Sequence, residues 1–231
     1  MISGHYSAKY DVELRQLSDR TLEMGQLIEK QLRRAIQSLI HGDRLLEREV
    51  LETETVINNL EVEIDRECVE ILARRQPIAS DLRFIIMIIK TVNDMERMGD
   101  EVHRVFEMGS RVVSNGGDSP QDDDIEELAA RVHKLLIQTL RVFEQEDDAG
   151  ALTLIRKDKK VDKKFETTLK KIKKWMMAES NSVPDAIETL WAIRSLERIG
   201  DRLCNICEHV IFYVKGEDIR HLDIDEILKQ E

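Results

Sequence analysis

Asp94-Met95-Glu96-Arg97-Met98-Gly99-Asp100 returns 101 residues later as Ser195-Leu196-Glu197-Arg198-Ile199-Gly200-Asp201. An acid, an arginine, a glycine and a second acid hold the same places in both copies, so the chain reads as two related halves. A second pair of stretches repeats with them. Glu54-Thr55-Val56-Ile57-Asn58 follows Gly42-Asp43 at the distance at which Asp158-Lys159-Lys160-Val161-Asp162 follows Asp147. Glycine and proline gather near Gly42, Pro77, residues 116–120, Gly150, Pro184 and Gly216, leaving six long periodic stretches between them. In the second, Leu46, Val50, Ile57, Leu60, Ile64, Cys68 and Ile71 recur at three, four or seven residues; in the third, Ile85, Ile89, Val92, Gly99 and Val102 do much the same. Such stripes mark amphipathic helices.

Asp43 and Asp147 stand where helix N-caps belong, and Pro184 falls in a first turn, where its missing N–H costs nothing. The pattern predicts helices over 10–41, 43–76, 78–114, 122–146, 148–180 and 184–215. At about 1.5 Å per residue, a 32-residue helix is about 48 Å long. Long rods with short connections make bundles. The expected fold is all-α: two tandem, pseudo-repeated three-helix bundles over 1–117 and 118–231, the second with a short C-terminal tail.

Composition agrees. Of 231 residues, 42% are apolar and 35% charged, with three prolines and ten glycines, which argues against a sandwich, a barrel or a βαβ repeat. Thirty-five basic against 46 acidic residues leave a net charge of −11, a poor match to nucleic acid and a better one to cations. Three cysteines form no disulfide framework and no charged-then-apolar leader opens the sequence, so a reducing, cytoplasmic setting is expected. The longest apolar run, 84–89, is far short of the roughly 20 residues that span a bilayer, and no direct membrane insertion is expected.

Residues four apart share a helix face, so Glu96 with Asp100, and Glu197 with Asp201, each present two carboxylates one turn apart. His103 extends the first row, and Asn205 and Glu208 the second. On the preceding helices Glu54, Asn58, Glu61 and Asp65 make one ridge, and Asp158, Asp162 and Glu166 another. Packed side by side, such ridges converge several oxygen donors whose mutual repulsion a multivalent cation relieves. Oxygen-only ligation suits magnesium, manganese, calcium or iron. No histidine has a glutamate three residues before it, as a ferritin-like di-iron centre requires. The alternative reading of these acids is a solvated helix face; repetition of the whole motif in both halves weighs against it. Gly99 and Gly200 suggest close helix approach, while Arg97 and Arg198 could orient carboxylates or meet a partner.

Other features say less. Cys204 and Cys207 lie inside a helix without a second pair to complete a zinc site, and read as core thiols. Residues 156–174 hold ten basic and three acidic side chains, either a solvated face or a docking patch for an acidic partner. Phosphate-binding glycine loops, dinucleotide fingerprints and serine elbows are missing.

The stretch from Ala73-Arg74-Arg75-Gln76-Pro77-Ile78-Ala79-Ser80-Asp81-Leu82-Arg83 to Met95-Glu96-Arg97-Met98-Gly99-Asp100 resembles the PhoU family. So do Asp158-Lys159-Lys160-Val161-Asp162, Ser195-Leu196-Glu197-Arg198-Ile199-Gly200-Asp201 and the closing Tyr213-Val214-Lys215-Gly216. The resemblance implies two similar three-helix bundles, usually paired as a homodimer, in a cytosolic regulator of phosphate-specific transport. It implies restraint of phosphate uptake and of the phosphate-starvation (Pho) regulon, through contact with the phosphate ABC transporter ATPase and a phosphate-sensing histidine kinase. It also implies metal ions, manganese, magnesium, iron or zinc, on Glu96, Asp100, Asp158, Asp162, Glu197 and Asp201, with Glu54 as a further ligand. Asn58 stands where the acidic pattern wants aspartate, which weakens the first site; His103, Asn205, Arg97 and Arg198 are further ligands or supports. No catalytic residue is implied. The rival is a carboxylate-bridged dimetal hydrolase or redox enzyme, with His103 and Glu208 as its acid or base.

Overall fold

A computed structural model describes residues 8–41, 47–114, 122–220 and 222. Six long helices follow one another: α1 (Ala8–His41), α2 (Glu47–Arg75), α3 (Ala79–Ser114), α4 (Asp122–Gln145), α5 (Asp148–Ala178) and α6 (Val183–Lys215). The expected all-α architecture is the one observed. The expected cap Asp43, the join at 116–120 and most of the C-terminal tail lie outside the described residues.

Local chemistry sets several ends. Asp147 caps α5, its carboxylate accepting the Gly150 N–H at 2.8 Å. Gly216 closes α6 in the left-handed conformation (φ 78°), and its N–H donates to the Phe212 carbonyl. The sequence pattern carries α5 to residue 180, but the helix ends two residues earlier. There Ser180–Ser182 form a 3₁₀ turn in which the Ser182 hydroxyl and N–H both donate to the Glu179 carbonyl, competing with continuation of the helix.

α3 and α6 form the centre and pack on each other more extensively than any other pair. They run antiparallel: Arg83 reaches the Tyr213 carbonyl at 3.1 Å, Ser195 reaches Glu101, and Arg111 lies 3.6 Å from Glu188. α1 and α2 cover α3, α4 and α5 cover α6, and α1 also meets α4. One continuous apolar core receives residues from all six helices, among them Leu17, Ile57, Ile88, Leu136, Leu152 and Leu203. The halves legible in the sequence are therefore welded through α3 and α6, and the two motifs touch where Arg198 meets Glu101 and Arg202 meets Asp94.

Candidate metal centre

In the second half the two ridges meet. Carboxylate oxygens of Asp158 and Asp162 from α5 and of Asp201 from α6 all lie within 4.8 Å of one another. Gly200 makes this approach possible, since a Cβ there would stand 2.9 Å from Asp158 Oδ1. Asp158 is 7% exposed and its Oδ1 is buried without a hydrogen-bond partner. Burial is the main reason its carboxyl is pushed up to about 6; Asp162, Asp201 and Glu197 add repulsion, and the Cys204 thiol beside it pulls the other way. Glu197 stands at the edge of the group. Its Oε1 accepts from Arg194 Nη1 at 2.5 Å, and its Oε2 is buried with no partner. Burial, then Asp201, raises its carboxyl, and burial raises those of Asp162 and Asp201 as well.

Two orphaned, buried carboxylate oxygens beside two further acids fit an oxygen-ligated cation. A buried anion without a partner either binds a proton or recruits a positive charge. The donor set holds no imidazole or thiolate within the group of three acids, which favours hard ions.

The first half is arranged differently. Glu96 and Asp100 of α3 face Glu61 of α2: burial, then Glu96, Asp65 and Asp100, raise the Glu61 carboxyl, and burial with Asp100 raises that of Glu96. Glu54 turns to His103, with Oε2 2.8 Å from Nδ1, and Glu107 lies 3.7 Å from the other ring nitrogen. Asn58 is exposed. At Gly99 a Cβ would meet only Ile57 at 3.5 Å, so no carboxylate occupies the place that Asp158 takes beside Gly200. Glu61 belongs to the ridge of α2 but not to the expected ligand set; its spacing of seven residues from Glu54, two turns along the same face, is the local signal for it.

Two of the expected supports serve another purpose. Asn205 Nδ2 donates to Asp94 at 3.2 Å, and Arg198 Nη1 to Glu101 at 3.1 Å. Asp94 also pairs with Arg202 (3.1 Å) and His209 (3.0 Å), and Glu101 with Ser195 (2.7 Å) and Arg104 (3.1 Å). These buried acids form a polar lock between α3 and α6 that the sequence pattern does not reveal, because each pairs across roughly a hundred residues. Arg97 is exposed, and its charge draws the Glu96 carboxyl slightly back down. Glu208 is half-buried, and burial raises its carboxyl.

Fold and site define a class: a duplicated helical bundle with an acidic cluster in each half. A family model of the PhoU domain matches residues 21–108 and 125–210. The chain belongs to the PhoU family. It is 38% identical over 230 residues to the Phosphate-specific transport system accessory protein PhoU homolog of Pseudomonas aeruginosa, covering 100% of this chain and 95% of that one. The crystal structure of PhoU from Pseudomonas aeruginosa superposes with a TM-score of 0.87 at 39% identity, covering 90% of this chain and 100% of the other. That of the phosphate transport system regulatory protein PhoU from Streptococcus pneumoniae gives 0.83 at 27% identity, covering 90% and 98%. These relatives are accessory and regulatory proteins, not enzymes, and the dimetal-enzyme alternative is set aside on that ground. Among the described residues no helix is long and apolar enough to cross a membrane.

Proposed function

We propose that this protein is a cytoplasmic, metal-binding regulatory adaptor of phosphate transport. It restrains phosphate uptake and keeps the Pho regulon off by contacting the phosphate ABC transporter ATPase and a phosphate-sensing histidine kinase, and acts as a homodimer. The regulatory part of this reading is supported by family membership and by the names its relatives carry. The metal part rests on one observation, the convergence of Asp158, Asp162 and Asp201 around a buried oxygen that has no protein partner.

Asp158, Asp162, Asp201 and Glu197 would hold manganese, magnesium, iron or zinc in the second half. Glu96 and Asp100, with Glu61, would hold a second ion, and Glu54 together with His103 would flank it. A bound ion would supply charge neutralisation and cross-link α5 to α6. The chain's own residues set the rest: Arg194 fixes Glu197, Gly200 admits Asp158, and the α3–α6 lock holds the two centres at a constant spacing. Regulation requires different affinities for two states of the partner, since a binder of equal affinity shifts nothing.

Two measurements test the reading. Protein stripped with chelator and redialysed against metal should retain stoichiometric ion, and Glu197→Ala/Asp201→Ala should lose most of it; equal metal content in both would remove the site. A strain lacking the gene should express alkaline phosphatase constitutively in high phosphate and regain repression with the wild-type gene. Normal repression in the deletion strain would remove the regulatory role.

A further inference from the structure

The seam between α4 and α5 changes character along its length. At one end it is neutralised: Lys171 meets Asp124 at 2.6 Å, and Lys164 meets Asp124 at 2.9 Å and also Glu127. Further along, Arg131, Lys134 and Gln138 of α4 face Lys157 and Lys160 of α5 across a groove of about 480 Å³. Its floor is Leu135 and Val161. Glu127 is the acid in the lining, and it already accepts from Arg131 Nε at 3.1 Å and Nη2 at 2.6 Å. Lys134, Lys157 and Lys160 are exposed and have no acid within ion-pair distance among the described residues. Like charges facing each other across a helix seam are unfavourable unless something anionic lies between them. That such a groove forms on a chain of net charge −11 makes it a local reversal of sign.

We propose that this groove docks an acidic, amphipathic segment of a partner protein, its carboxylates on Lys134, Lys157 and Lys160 and its aliphatic side chains on Leu135 and Val161. A small phosphate compound fits less well. The groove lies mid-helix, where backbone N–H groups are spent within the helices, its one guanidinium is engaged by Glu127, and no aromatic side chain lines it to stack a base. From Arg131 to Gln138 it runs about 10 Å, two helical turns, the reach of a helix presenting anchors at i, i+3 and i+7. The proposal rests on the reading of the chain as an adaptor, but not on the metal centre, since none of these lysines is among the proposed ligands.

The test uses the full chain and a fluorescent synthetic helical peptide of glutamate and leucine, read by anisotropy. Wild type should bind it, more weakly as salt rises. Lys134→Glu/Lys157→Glu/Lys160→Glu should bind at least about tenfold more weakly. A control with the same charge change further along α5, Lys170→Glu/Lys173→Glu/Lys174→Glu, should stay within about twofold. Helical content and melting are compared throughout, and the Lys→Gln version of the first triple, expected to weaken binding in the same direction, replaces any variant that does not fold. No binding by wild type, equal loss in both triples, or displacement of the peptide by stoichiometric inorganic pyrophosphate would overturn the proposal. Peptide binding is measured on purified protein without any strain, so a failure of the regulatory reading and a failure of the groove to bind are separate, distinguishable results.

Discussion

At the scale of single residues, the two motif glycines look interchangeable in the sequence and are not so in the structure. Gly200 faces Asp158 Oδ1 at 2.9 Å from an added Cβ, whereas Gly99 faces only the side chain of Ile57 at 3.5 Å. Gly200→Ala should therefore displace the Asp158 carboxylate and lower metal retention with the fold intact. Gly99→Ala should leave metal content unchanged and, as a helix-interior change, raise stability by up to about 1 kcal/mol. Metal analysis and thermal melting of the two variants check both outcomes. Asp158 also sets a pH dependence. Its carboxyl, at about 6 in the folded chain and 3.8 ordinarily, binds a proton that the unfolded chain releases. The contribution of this group to the stability of the stripped protein is fully present below about 3.8 and is lost as pH rises from there through about 6, by on the order of 3 kcal/mol in all. Melting of chelator-treated protein between pH 5 and pH 7.5 checks the sign. Asp158→Asn should flatten the profile in part, because burial raises Glu197, Asp162 and Asp201 in the same direction.

At the scale of elements, the decisive pair is α3 with α6. Burial alone would raise the Asp94 carboxyl, but His209, Asn205 and Arg202 together hold it below its ordinary value. Its contribution is present above the ordinary carboxylate range and lost as pH falls through the depressed value, opposite in sign to that of Asp158 and in a more acidic window. Asp94→Ala would leave His209 and Arg202 buried or half-buried without their anion, a loss of about 3 kcal/mol or more. For a chain of this length that corresponds to a melting temperature lower by several degrees, at roughly 2–4 °C per kcal/mol. A melting point within a degree of wild type would show that the lock does not hold the two helices together. The individual elements were legible in advance, their ends predicted to within a few residues, because apolar periodicity and the caps Asp147 and Gly216 are local signals.

At the scale of the whole molecule, a single core runs through both halves. Repeated modules with separate cores would melt separately; a shared one predicts a single transition in calorimetry, with coincident helix loss and tertiary loss. A fragment of residues 1–117 should not fold cooperatively alone, because it exposes the face of α3 that α6 covers, including the buried acids Asp94 and Glu101 with their partners removed. A cooperative fragment transition would make the halves independent domains. Metal should raise the melting temperature of the full chain by mass action, about 2.7 kcal/mol of stabilisation at a hundred times the dissociation constant.

The amino-acid order by itself determined six rods, their duplication and the two rows of acids. Helix period, caps and repeats are written in neighbouring residues and need no knowledge of what lies across the core. Only the tertiary structure decided which acids converge. Asp158 and Asp162 meet Asp201 because Gly200 lets α5 and α6 approach, while Glu54 is claimed by His103 and its place near Asp100 falls to Glu61. The uses of Asn205 and Arg198 in joining α3 to α6, and the facing lysines of α4 and α5, were equally closed to inspection of the chain. The physical reason is the same in each case. A carboxylate's environment is set by neighbours tens of residues away, and one-dimensional spacing records which face a side chain is on but not what is packed against that face.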